Sequence, residues 1–275
     1  MRSYLSGKTM DEVAMDRLRE FEAEALRMHP NGYWLAFSGG KDSVVILDLA
    51  ERAGVKFEAV HNLTTVDPPE LVRFVKTFPN VRINKPEMSM WKLIRKRGLP
   101  PRRAVRYCCE VLKERGGDGR MVVTGIRWGE SNRRSKRGMV EACYRSKKRM
   151  YLHPIIDWPT AAVWEYIRER ELPYCSLYDE GFSRVGCILC PMTRDVAQQM
   201  ERWPTYARSY EKAIKATFKP DETKRTTFKT AEEYWQWWLD RDAPGLVTDD
   251  DPVLFEDDPG LATEALEQDE EGYGS

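Results

Sequence analysis

No apolar run in this 275-residue chain approaches the roughly 20 residues that a membrane-spanning helix requires, so no membrane partner is expected. The opening residues, Met1-Arg2-Ser3-Tyr4-Leu5, lack the apolar core of a secretory signal, and the expectation is a cytoplasmic protein. There is no internal repeat, and no cysteine follows Cys190. Net charge is also missing, because 44 basic residues balance 44 acidic ones.

That balance hides a strong asymmetry. Between Lys92 and Arg149 there are 19 Lys or Arg against 5 Asp or Glu, whereas residues 240–275 hold 13 acidic residues and one Arg. A basic stretch reads either as a solvated surface or as a site for phosphates, sulfate or nucleic acid. Clustering of its arginines around Gly and Ser turns favours the anion site. The acidic end, punctuated by Pro and Gly, reads as a flexible tail over 243–275. A hydrophobic content of 41% with 11% aromatics is enough for a substantial core elsewhere. The six cysteines are Cys108, Cys109, Cys143, Cys175, Cys187 and Cys190; in a cytosolic chain of this size they read as metal or redox groups before disulfides.

Periodicity places a helix over residues 9–28, with Thr9 and Glu12 in a capping-box pattern. Tyr33 to Phe37 is a short apolar run suited to a buried parallel strand. A glycine loop follows, then an apolar helix from Ser43 to Ala53 closed by Gly54, then a strand over Lys56–His61. Further strands are expected at Val81–Ile83, Met121–Gly125 and Tyr151–Ile156. Helices are expected after Pro68, over Met88–Lys96, after Pro159, over Asp195–Lys215 and over Ala231–Leu239. Helices alternating with apolar strands spell an α/β sheet with helices on its faces. The organisation expected is an N-terminal helix (1–29), a nucleotide-binding domain (30–195), a C-terminal helical extension (196–242) and the acidic tail.

The turn between the first strand and its helix reads Ser38-Gly39-Gly40-Lys41-Asp42-Ser43. Backbone amides at a helix N-terminus, together with the helix dipole, favour an anion. Gly39 and Gly40 let the backbone approach it closely, Ser38 and Ser43 add hydroxyls, and Lys41 adds a cation. Asp42 is placed to cap the helix or approach magnesium. The spacing is not the Gly-x-x-x-x-Gly-Lys of a Walker A loop.

Ala36 to Ser43 resembles the pyrophosphate loop of the ATP pyrophosphatase superfamily. The resemblance implies a doubly wound parallel sheet of the adenine nucleotide alpha hydrolase type, with a ligand crevice at the strand ends. It also implies binding of ATP and magnesium, with cleavage between the α- and β-phosphates; Ser38, Lys41 and Asp42 are then the catalytic candidates. Asp67, after the second strand, is a candidate for nucleotide or metal contact, and equally a helix cap before Pro68.

Thr124-Gly125-Ile126-Arg127-Trp128-Gly129-Glu130-Ser131-Asn132-Arg133-Arg134 resembles the Gly-x-Arg-x-x-Glu-Ser-x-x-Arg segment of the phosphoadenylyl-sulfate reductase branch. Gly125, Arg127, Arg133 and Arg134 are accordingly nucleotide-site candidates, the arginines as clamps on phosphate or sulfate oxygens. Cys108-Cys109, then 77 residues, then Cys187-Ile188-Leu189-Cys190 resembles the ligand set of iron–sulfur adenylyl-sulfate reductases. Those four imply a 4Fe–4S cluster, with zinc as the alternative. Cys143 reads as a buried free thiol, and Cys175 stays ambiguous.

The resemblance, over residues 30–195, breaks in one place. The reductases attack sulfur with a cysteine near their C-terminus, and this chain has none there. Its glycine loop, by contrast, is intact where the reductases tend to have a degraded one. The expectation is therefore a reductase-like fold that keeps ATP pyrophosphatase chemistry, as in DNA phosphorothioation systems and phage- or CRISPR-associated relatives. A nucleic acid or nucleic-acid-bound assembly, a sulfur donor and a second copy of the chain are the partners this implies. Two alternatives stand beside it: a sulfonucleotide reductase using Cys143 or Cys175 as nucleophile, and a non-catalytic nucleotide-sensing module.

Overall fold

The computed structural model of the chain describes residues 4, 7–143, 148–219 and 228–240. The elements run α1 (Met10–Glu20), α2 (Glu22–Met28), β1 (Tyr33–Ala36), α3 (Lys41–Ala53), β2 (Phe57–Asn62), α4 (Pro69–Val75), β3 (Val81–Asn84) and α5 (Met90–Arg97). They continue with β4 (Met121–Val123), α6 (Asn132–Ser135), β5 (Val140–Ala142), β6 (Met150–Leu152), α7 (Thr160–Glu169), α8 (Val196–Arg202), α9 (Pro204–Lys215) and α10 (Ala231–Leu239). The acidic tail expected over 243–275 lies outside the described residues.

Among the described residues the strands form one six-stranded sheet in the order β3-β2-β1-β4-β6-β5. Strand β1 pairs in parallel with β2 on one side and β4 on the other, and of these six strands β5 runs antiparallel to the rest. Chain order therefore reverses between β1 and β4, the place where an open α/β sheet leaves a crevice beyond its carboxyl ends. This is the mainly parallel, helix-flanked architecture the sequence implied. Tyr33 and Leu35 are fully buried and, with Phe37, join the main core; α3 adds Val45, Ile46 and Leu49 to it. Each such side chain contributes on the order of 1.5–3 kcal/mol by leaving water. Trp34, Val60 and Val122 make a smaller apolar layer apart from that core. There the guanidiniums of Arg82 and Arg120 lie 5.3 Å and 5.5 Å from the centre of the Trp34 ring, which packs against Gly116 and Gly117.

Two expected helices are each broken in two. The helix over 9–28 divides at Phe21, whose φ of −95° and ψ of 3° leave the helical region. Thr9 still receives its cap from Glu12, whose carboxylate accepts the Thr9 amide at 2.7 Å. The helix over 195–215 divides at Trp203, because Pro204 has no amide to donate and is favoured as a first helical residue. Strand β5 was not anticipated: three half-exposed residues carry too short a pattern to read.

The C-terminal helices close one flank. Trp91 of α5 meets Tyr210 of α9 edge-on at 4.8 Å, and Tyr210 stacks on Trp238 of α10 at 5.1 Å. The Trp238 indole donates to the Pro101 carbonyl at 2.7 Å, which fixes the segment leading into Cys108. Among the described residues no helix is long and apolar enough to cross a membrane.

Candidate functional site: a glycine loop at the sheet switch point

The loop after β1 is shaped before any ligand arrives. Gly39 has φ +76°, and a Cβ there would lie 2.5 Å from Leu71 Cδ1 and 2.8 Å from Val75 Cγ2, so α4 packs directly on the bare backbone. Ser38 Oγ accepts the Gly40 amide at 3.3 Å and lies 3.2 Å from Ser43 Oγ, which itself donates to the Gly40 carbonyl at 2.8 Å. These bonds hold the turn open-ended at the N-terminus of α3, where free amides and the helix dipole attract negative charge. One amide there is already engaged. Tyr178, from the short turn Ser176–Tyr178, accepts the Lys41 N–H at 3.0 Å through its phenolic oxygen. Burial, against the Lys41 amide, pushes that phenol up to about 12, so it is a neutral hydroxyl. The Lys41 ammonium lies over the same ring at 5.4 Å and 3.4 Å from Asp42 Oδ2, with 7% of the residue exposed.

The segment after β4 meets this loop. A Cβ on Gly125 would come within 2.8 Å of Asp42 Cβ and 3.0 Å of the Asp42 carbonyl, so only glycine fits. Arg127 takes a different task from the anion clamp expected of it. Its guanidinium is buried, with Nε donating to Asp42 Oδ1 at 2.6 Å and Nη1 donating to the Trp158 carbonyl at 3.1 Å and Thr160 Oγ1 at 3.2 Å. It underpins the first turn of α3 and ties it to the start of α7. Asp42 is correspondingly committed to Arg127 and Lys41. Arg133 is exposed on α6, and Arg134 is ion-paired with Glu130. Glu130 also accepts the Arg127 amide at 2.9 Å, which fixes this crossover.

Asp67 is buried, and its Oδ2 accepts the Thr64 amide at 2.7 Å, closing the turn after β2. Beside it, His61 reaches the Phe37 carbonyl through Nδ1 at 2.9 Å, while its buried Nε2 has no partner among the described residues. Burial pulls this imidazole down, against the pull of Asp67, so it is neutral near pH 7.

The cysteines converge on the same end of the sheet. Cys108 and Cys109 open the π-helical turn Cys109–Lys113. That turn is anchored to the ends of β2 and β3 through Asn62 Nδ2 on the Lys113 carbonyl at 2.9 Å and Arg115 Nη1 on the Lys85 carbonyl at 2.8 Å. Cys187 lies 3.4 Å from Thr64 Oγ1, and the Ile188 amide donates to Val66 at 2.8 Å. A hydrogen bond from Cys108 draws the Cys109 thiol down, helped by Lys113 and Arg106 against burial. Cys108 moves up in turn, through that same bond and burial, with Cys190 and Cys187 adding to it. Burial raises Cys187 to about 12, against Lys113. Lys113 is exposed at the surface; desolvation by its neighbours lowers it, but Cys187, Cys109 and Cys190 leave it raised overall. Among the described residues no three His, Cys, Asp or Glu side chains are gathered tightly enough to hold a metal ion as they stand. The four thiols thus share one electrostatic neighbourhood around a lysine without forming a single-ion cage.

The remaining cysteines lie elsewhere. Cys175 is 1% exposed within the core. Cys143 continues β5, its amide donating to the Arg149 carbonyl at 2.9 Å just before β6 begins. Because β6 runs parallel to β4, that places Cys143 at the amino end of the sheet, opposite the glycine loop. Neither is positioned as the substitute nucleophile that the reductase alternative required. Tyr178, Thr160 and Lys113 were missed in the sequence, since each reaches the site from a loop or helix start with no spacing to announce it.

The profile of the phosphoadenosine phosphosulfate reductase domain matches residues 32–193. An uncharacterized protein of Methanocaldococcus jannaschii is 29% identical over 201 residues, covering 64% of this chain and 41% of that protein. An adenosine 5'-phosphosulfate reductase of Oceanobacillus iheyensis is 28% identical over 167 residues, covering 56% and 69%. The chain spans about half the length of the archaeal proteins it matches. Among solved structures, a phosphoadenylyl-sulfate reductase from Candida auris in a phosphate complex is 21% identical, covering 68% of this chain and 97% of that one, with a TM-score of 0.46.

Proposed function

The chain belongs to the phosphoadenosine phosphosulfate reductase domain family, and from that premise we propose that it binds Mg–ATP at residues 38–43 and cleaves it between the α- and β-phosphates, releasing pyrophosphate and passing AMP to an acceptor. The observation that carries this reading is the intact glycine loop, held open at the N-terminus of α3 by Ser38 and Ser43. In this reading the amides of Gly39 to Lys41 receive the phosphates, and the Tyr178 hydroxyl yields the Lys41 amide to them. Lys41 turns its ammonium from Asp42 toward the developing negative charge. Arg127 acts indirectly, by fixing Asp42 and with it the first turn of the helix. Arg133 and Arg134 supply cations at the rim of the same crossover. Asp67 keeps the turn after β2 in place beside the nucleotide.

Cys108, Cys109, Cys187 and Cys190 are the four residues that would hold a 4Fe–4S cluster. A Cys109 thiol lowered by Cys108 and by the neighbouring Lys113 and Arg106 cations suits thiolate ligation, and a 4Fe–4S cluster would hold its four cysteine sulfurs farther apart than a single zinc ion would. When bound, such a cluster supplies one-electron or sulfur chemistry and ties the 108–113 turn to the 187–190 loop. The exposed cations Arg95, Lys96, Arg97 and Arg106 favour an anionic partner such as a nucleic acid on this flank.

The test is incubation of the anaerobically purified chain with magnesium and ATP labelled at the α-phosphate, next to a Ser38→Ala/Lys41→Ala variant. Labelled AMP with pyrophosphate, lost in the variant, is expected. Sulfite released from adenylyl sulfate by a thiol reductant, with no cleavage of ATP, would instead establish a reductase. Nucleotide binding without turnover of either substrate would establish a sensing module.

A further inference from the structure

Resting on that cleavage reading, we propose that Thr124, His153 and Glu141 form a proton relay beside the glycine loop, and that the acceptor of the adenylyl group is a protic nucleophile, a hydroxyl, amine or amide, whose proton this relay removes.

The relay is assembled by the three strands to one side of the switch point. Thr124 follows β4 directly and is half-buried, one residue before the glycine that packs on Asp42. Its Oγ1 lies 2.7 Å from His153 Nδ1. His153 follows β6, is fully buried, and is fixed by its own amide donating to the Met139 carbonyl at 2.8 Å. Its other nitrogen, Nε2, lies 3.7 Å from Glu141 Oε2 and has no hydrogen-bond partner among the described residues. Glu141, on β5, is itself held by Arg137 at 2.6 Å and by the Gly138 amide at 3.0 Å. Burial raises this carboxyl, but the two donors outweigh it and keep it a carboxylate.

A carboxylate facing Nε2 favours the tautomer with its proton on that nitrogen. Nδ1 is then a lone pair, and the bond at 2.7 Å runs from the Thr124 hydroxyl to it. The threonine oxygen keeps its own lone pairs for a second donor. Burial holds the imidazole neutral, pulling it down to about 4 even though Glu141 raises it; Nδ1 therefore carries a lone pair at neutral pH, and because the resting imidazole is a weak base the transfer depends on Glu141 stabilising the imidazolium as it forms. A nucleophile, a base oriented by hydrogen bonding and a carboxylate behind the base is the arrangement by which proteins activate weak protic groups.

The step balances as follows. The acceptor atom bonds to the α-phosphorus as the bond from that phosphorus to the bridging oxygen breaks, and pyrophosphate leaves with the electron pair. The acceptor's proton passes to Thr124 Oγ1 while the threonine proton passes to His153 Nδ1. The imidazolium so formed faces Glu141, which balances its charge. An anionic acceptor such as sulfate brings no proton to remove and would leave this chain of groups without a task. Thr124 is the catalytic residue in this scheme; His153 and Glu141 are positioning residues that act through it.

The experiment follows pyrophosphate release from Mg–ATP by the full chain, with water and hydroxylamine as protic acceptors and sulfate as the anionic one. ATP affinity is measured in parallel for every variant. We expect His153→Ala and Thr124→Val to bind ATP as the wild type does but to lose about 10²–10⁴-fold in turnover with hydroxylamine. Added imidazole restores part of the His153→Ala loss, and Thr124→Ser keeps most of the activity, which a purely structural role would not produce. Sulfate gives no rate above the water blank. Turnover in His153→Ala equal to the wild type, or a sulfate-dependent rate indifferent to that substitution, overturns the relay while leaving cleavage intact. A wild type that binds ATP and releases no pyrophosphate with any acceptor overturns the cleavage reading, and the relay with it.

Discussion

Removing the carboxylate of Asp42 should cost far more stability than its place on a partly open loop suggests. The Arg127 guanidinium it faces has 2% of its side chain exposed, against 18% for Asp42. Asp42→Ala therefore leaves a buried cation without its counter-charge, a change costing about 3–5 kcal/mol. For a domain of this size that lowers the melting midpoint by roughly 6–20 °C. Arg127→Met is expected to cost less, about 1–3 kcal/mol, because Asp42 retains water on its open side and Lys41 at 3.4 Å. Part of that smaller cost comes from the orphaned Trp158 carbonyl rather than from the ion pair. The double variant Asp42→Ala/Arg127→Met removes both charges, and its loss should fall below the sum of the single losses by about 1–3 kcal/mol. Urea unfolding of the four proteins measures the cycle. Additivity to within about 0.5 kcal/mol, or an Asp42→Ala cost below about 1 kcal/mol, would refute the assignment of Arg127 as the buried support of the loop.

Three further outcomes follow from the same geometry. Gly39→Ala forces a side chain into a left-handed conformation at φ +76° and against Leu71; strain of about 1–3 kcal/mol should weaken ATP binding roughly 5- to 150-fold in equilibrium dialysis. His153 is pulled from 6.5 to about 4, chiefly by burial. The unfolded chain takes up this proton first, so the contribution is full above pH 6.5 and shrinks as pH falls toward 4. It amounts to about 3 kcal/mol, and His153→Asn should flatten the stability profile between those values. Cys109→Ser or Cys187→Ser should abolish iron and acid-labile sulfide in anaerobically purified protein. Cys175→Ser and Cys143→Ser should leave both unchanged; iron retained by all four variants would remove the cluster from this site.

The glycine loop was legible because its information is local. A buried strand, two adjacent glycines and an apolar helix lie within 21 residues, Tyr33 to Ala53, and each obeys a short-range rule. The parallel sheet was legible for the same reason, since Leu35, Val45, Ile46 and Leu49 repeat at strand and helix periods. Arg127 was misjudged because a guanidinium reads alike in sequence whether it faces a phosphate or a buried carboxylate. What decides is the Asp42 side chain, 85 positions away, at 2.6 Å. The break at Trp203-Pro204 was hidden by the amphipathic pattern that continues on both sides of it.

By itself, then, the sequence determined that the chain would fold as a helix-flanked parallel sheet with a glycine turn between its first strand and the following helix, because hydrophobic period and glycine placement act over a few residues. Only the tertiary structure decided which charges neutralise each other and which face the crevice. Tyr178 on Lys41, Lys113 among the cysteines and Glu141 behind His153 are each set by strands and turns that meet across long stretches of chain. Electrostatics falls off over ångströms in space and takes no account of distance along the sequence, so the partners of a charge become known only when the sheet has closed.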